Sequence, residues 1–121
     1  METFTPDPAE YATKLDMFVS EVQNMVNANF AEMHPSLTPD VITYTSGRKY
    51  DRIVTEGRNH DGSPTNRGVY CFIQKIPTSS GKVGDILKAD SWERPAKHAR
   101  GNIFAEDMMR GVTSYGAVYL R

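Results

Sequence analysis

Only one cysteine, Cys71, occurs in the 121 residues. An internal disulfide and a cysteine-based metal cluster are thereby excluded, which agrees with a reducing compartment. No apolar run approaches the roughly 20 residues that a membrane helix needs, and METFTPDPAE has neither the basic start nor the apolar core of a secretory signal. The sequence thus predicts a soluble, non-exported protein. Walker loops, dinucleotide fingerprints and nucleophile elbows are missing, and His34, His60 and His98 have no ligand spacing, so no metal, cofactor or catalytic set is expected. Adjacent carboxylates such as Glu106 and Asp107 point apart on a helix, and Cys71 sits in an apolar strand pattern as a core thiol.

Net charge is small as well, at −1, yet the charges are unevenly placed. Residues 1–40 carry seven acids and one base, Lys14, whereas residues 41–121 carry eight acids and thirteen bases. A basic remainder behind an acidic segment can focus field on an anionic ligand despite near-zero net charge.

The length suits one domain over residues 1–121. Asp7, Pro8 and Glu10 read as N-cap, first helical residue and capping-box partner. From Tyr11 the apolar positions Leu15, Phe18, Val19, Val22, Met25, Val26, Phe30 and Met33 form one stripe, and Pro35 ends the helix at His34. Such a stripe fits a helix lying on a sheet, and its four-three spacing also fits a dimer seam. VITYTS, RKYDRIVTE, GVYCFIQKI and DILKA then read as strands of an antiparallel meander. GRNHDGSPTNRG is a loop or a wide hairpin tip, PTSSGKVG is another loop, FAEDMMRG is a short helix and YGAVYL a last strand. The predicted fold is α+β: an N-terminal amphipathic helix on a small antiparallel sheet, with a short C-terminal helix.

SWERPAKHARGN, residues 91–102, has too much charge for a core segment and is predicted to be a connecting loop able to act as a lid. Trp92 offers a face for stacking a base, Arg94, Lys97 and Arg100 offer charge for phosphates, Asn102 offers a donor and an acceptor, and Pro95 stiffens the segment. The same residues also suit a tryptophan that anchors a loop to the core among solvated cations.

The stretch GVYCFIQK…GDILKADSWERPAKHARGNIF resembles the first Thoeris anti-defence family of small phage proteins. Members of that family are sponges: they bind cyclic ADP-ribose isomers made by bacterial TIR enzymes without cleaving them, and some hold cyclic trinucleotides at separate sites. The resemblance spans roughly Arg67 to Phe104. The candidate ligand contacts are Arg67, Trp92, Pro95, Lys97, His98, Arg100, Asn102 and Arg121, of which the resemblance itself implies Arg67, Trp92, Asn102 and a C-terminal arginine. Trp92 would stack the base, Asn102 would contact its edge and Arg67 would bind phosphate, with Arg110 the alternative to Arg121. Glu93 and Arg94 stand where the family pattern has a lysine and a variable residue. The resemblance further implies action in the host bacterial cytoplasm, as a binder and not an enzyme, with neither membrane nor DNA as partner. A homodimer or higher even-numbered oligomer with the N-terminal helix near the interface is also expected. Single-stranded nucleic-acid binding and nucleotide modification, with His98 as acid or base, remain the competing readings.

Overall fold

A computed structural model describes residues 6–79 and 81–117. Helix α1 spans Pro8–Met33; the Asp7 carboxylate accepts from Ala9 N at 2.8 Å, and the His34 N–H closes the last turn on Phe30 O. Both ends are set locally, by the cap and by Pro35. The five long strands are β1 Val41–Ser46, β2 Tyr50–Arg58, β3 Pro64–Gln74, β4 Asp85–Ala89 and β5 Pro95–Asn102, paired antiparallel in chain order. A 3-10 turn, Met108–Gly111, leads into the two-stranded β6 (Val112–Thr113) and β7 (Gly116–Ala117). This is the predicted α+β architecture.

The stripe of α1 packs on the sheet. Leu15, Phe18, Val22 and Val26 are buried against Ile42, Ile53, Cys71, Ile73 and Ile86. Cross-strand register puts Tyr44, Ile53 and Cys71 on this covered face, and Thr45, Arg52, Phe72 and Leu87 on the other. Most of the apolar side of α1 is thereby buried within the chain, with Met33 left exposed at its end.

Three expectations change in form. GRNHDGSPTNRG is largely strand, because β2 runs to Arg58 and β3 begins at Pro64. Only a short tip remains, closed by Asn59 N to Ser63 O and turned at Gly62, whose φ of +87° suits glycine. FAEDMMRG reduces to the 3-10 turn: the run is too short to propagate a helix, and a Cβ on Gly111 would lie 1.9 Å from Arg100 O, so the chain is pinned against β5 there. SWERPAKHARGN is no loop. Residues 95–102 form strand β5, and only 90–94 make the turn before it; an outermost strand with one neighbour leaves its charged side chains in water, so their charge does not oppose pairing. Of the last predicted strand, YGAVYL, residues 118–120 lie outside the described residues.

Candidate functional site

The turn between β4 and β5 is fixed by Asp90 and Ser91 N–H groups that both donate to Arg94 O, at 2.9 and 3.0 Å. It presents Trp92 with 41% of its surface exposed. The indole therefore does not anchor the turn in the core. It lies on the sheet face that α1 leaves uncovered, where the Arg52 guanidinium carbon sits 4.9 Å from its ring centre and that of Arg67 sits 5.6 Å away. Arg52 is held in place by donating from Nε to Trp92 O at 2.7 Å and from Nη1 to Thr45 Oγ1 at 3.2 Å, and it also stands over the Phe72 ring.

Two residues distant in sequence, Arg67 and Trp92, are thus brought together. Glu56, opposite Arg67 in the β2–β3 register, holds Arg67 Nε at 3.3 Å and Arg58 Nη2 at 2.5 Å. Arg67 keeps nearly half of its side chain exposed, so its ion pair is partly in water and worth little by itself. The buried Arg58 Nε has no hydrogen-bond partner among the described residues. Hollows of about 510 and 150 Å³, lined by the Trp92 neighbours Ser91 and Glu93 but not by Trp92 or Arg67 themselves, separate the Arg48–Lys49 turn from the Glu93–Arg94 turn. Stacking surface, arginine forks and further cations therefore share one end of the open face.

The remaining predicted residues do not join them. Asn102 sits at the far end of β5, about 20 Å along an extended strand from its start. Its amide is committed to the fold: Nδ2 donates to Val83 O and Asp85 Oδ1, both at 3.0 Å, and Oδ1 accepts from Phe104 N at 2.8 Å. Every hydrogen-bonding direction but one lone pair is in use, so Asn102 as found here is a structural clamp and no free reader of a base edge. Arg100 and Asn102 line a separate and larger cleft of about 1040 Å³ that also includes Lys82 and Phe104; size alone favours that cleft, but it has no aromatic as exposed as Trp92. Pro95 starts β5 and also lines the hollow beside the turn. Lys97 and His98 are exposed on the edge strand and make no side-chain hydrogen bond among the described residues. Arg110 pairs loosely with Asp107 at 3.9 Å, and Arg121 lies outside the described residues.

Sequence reasoning missed Arg52 and Glu56. Both occupy positions of β2 whose alternation with Ile53 and Asp51 marks the uncovered face, and that period-2 pattern in YDRIVTE was the available signal. It also missed Asp51, 1% exposed on the helix side, which accepts from Tyr11 Oη and Ser46 Oγ, each at 2.6 Å, with Lys75 Nζ at 3.5 Å. Burial and the Asp51 charge raise the Tyr11 phenol far above its usual pKa, and burial likewise raises the Cys71 thiol.

The chain belongs to a family of unknown function (DUF7717). The match covers residues 8–116, and so takes in α1, the whole five-stranded sheet and both candidate clefts. No curated protein and no solved structure matches it. Among the described residues, no helix is long and apolar enough to cross a membrane.

Proposed function

We propose that the protein captures a cyclic ADP-ribose-type nucleotide signal intact, as a phage sponge in the host bacterial cytoplasm, with Trp92 stacking the base and Arg67 gripping the pyrophosphate. One observation carries this reading: Arg67 and Trp92, assigned to the two ends of such a ligand by resemblance, lie side by side on the open sheet face. Arg52 supports the indole from the other strand and adds a second guanidinium within reach of the same oxygens. Entry of the ligand exchanges the Arg67–ring contact for a base–ring contact, and the released guanidinium then meets the pyrophosphate with a bidentate fork. Glu56 keeps Arg67 aimed until an anion displaces it.

The test is capture and release. After incubation with a cyclic ADP-ribose isomer and removal of free ligand, heat denaturation should return the ligand unchanged. Altered ligand would mean an enzyme, and none would mean that this ligand class is wrong. Trp92→Ala should weaken capture by about 1–3 kcal/mol, the usual worth of a base–aromatic stack. Arg67→Lys, which keeps the charge but loses the fork, should also weaken it. Affinity should fall less than about tenfold between roughly 50 and 200 mM salt; a loss of several hundredfold, with Arg67→Lys like the wild type, would instead indicate a general polyanion track.

A further inference from the structure

The two edges of the five-stranded sheet differ in kind. β5 carries Pro95, Lys97, His98 and Arg100, and its register against β4 shifts twice, all features that discourage pairing with another chain. β1, the sequence VITYTS, has no charge and no proline, pairs with β2 in unbroken register, and is exposed from Thr43 to Ser46.

Hydrogen bonding fixes which groups of β1 face outward. Gly47 N donates to Tyr50 O, so by alternation Thr45, Thr43 and Val41 point toward β2 and Ser46, Tyr44 and Ile42 point away. Ile42 confirms this, since its N–H donates to Gln23 Oε1 at 2.8 Å while Gln23 Nε2 donates to Asp40 O at 2.8 Å. A single glutamine of α1 makes the two bonds that a neighbouring strand would make, and so closes the edge at 40–42. Past it, the backbone groups of Tyr44 and Ser46 have no outward partner among the described residues.

We propose that a second copy of this chain completes this edge, β1 against β1, antiparallel about a two-fold axis at Thr45. That axis sets Tyr44 opposite the partner's Ser46, and the reverse, giving four main-chain hydrogen bonds without disturbing Gln23. An axis at Tyr44 would instead require the Ile42 N–H that Gln23 already holds. The charges agree with the first register: it places the Arg48–Lys49 turn of each copy by the Asp40 end of the other, a complementary contact made twice. Tyr44, 43% exposed, then lies diagonal to the partner's Tyr44, within aromatic reach. The two sheets become one; the pairing does not depend on the nucleotide reading, although the Arg48–Lys49 turn and Thr45 also border the hollows of the candidate site.

Cross-linking and mass measurement test it. At a non-hydrogen-bonded antiparallel pair the Cα atoms come within disulfide distance, so Thr45→Cys should form a disulfide dimer under mild oxidation, while Thr43→Cys, off the axis, should form much less. Cys71 is fully buried and stays silent. Light scattering should give twice 13.6 kDa for the wild type. Tyr44→Pro removes an outward N–H that the single chain does not use, so it should keep the fold yet raise the dimer dissociation constant at least about tenfold. A monomeric wild type at all concentrations, or equal cross-linking at positions 43 and 45, overturns the proposal. If Tyr44→Pro fails to fold, the cysteine pair decides.

Discussion

Asn102 shows how a side chain suited to one task can be committed to another. Its amide ties the strand before it, through Val83 O and Asp85, to the chain after it, through Phe104 N. Gly84 makes room for this clamp. It adopts φ +91°, and a Cβ there would fall 2.8 Å from Asn102 Oδ1 and 2.7 Å from the Phe104 ring. Asn102→Ala leaves Phe104 N and Val83 O short of partners, so it should lower folding stability by about 1–3 kcal/mol in the absence of any ligand. Urea denaturation measures this directly. An unchanged midpoint alongside lost nucleotide capture would return Asn102 to the role of base reader. Trp92→Ala should behave in the opposite way, because an exposed indole on arginines contributes little to folding.

Among the elements, β5 is the one whose identity matters most for function. A lid would be a mobile loop, whereas β5 is tied to β4 from Pro95 to Asn102 with Leu87 opposite Ala99 and Asp85 opposite Asn102. Closure over a ligand at Trp92 must therefore come from side chains and from the short 90–94 turn. Hydrogen exchange should show slow amides in residues 99–102, where β5 pairs with β4, and faster ones at 91–93. Uniformly fast exchange across 91–102 would restore the lid. The bulge at Tyr70, which is passed over between the Ile53–Cys71 and Val54–Val69 pairs, serves assembly in another way: its hydroxyl donates to Thr113 O and so docks the C-terminal hairpin.

Across the whole molecule, the ionisable groups with raised pKa share one sign. Cys71 and Tyr70 are raised chiefly by burial, and Tyr11 by burial and by Asp51. The ordinary values of these groups are 9.0 for the thiol and 10.0 for the phenols. Below pH 9 both folded and unfolded chains keep these protons; above it the unfolded chain releases them first, so stability is fully present below that range and falls as pH rises. The free energy of unfolding should therefore decline steadily from about pH 9 upward, and Cys71→Ala, whatever its own cost, should move the onset toward the phenol range. A free energy that stays flat to about pH 10.5 would contradict this.

What the sequence determined on its own is what neighbours in the chain decide. Asp7 and Pro8 start α1, Pro35 stops it, and the β-rich runs VITYTS and DILKA between turn residues mark β1 and β4 to the residue, because caps, proline and strand propensity act within a few positions. The α+β class follows from those elements in order. The tertiary structure decided everything that depends on which strand lies beside which. The charge of SWERPAKHARGN reads as a loop until β4 supplies the pairing that makes residues 95–102 an edge strand. Asn102 reads as a free amide until Val83, Asp85 and Phe104 close around it. Arg52, Arg67 and Trp92 become one cluster only because the strand order sets β2 beside β3 and folds the β4–β5 turn over them, a meeting across the sheet that no local pattern encodes.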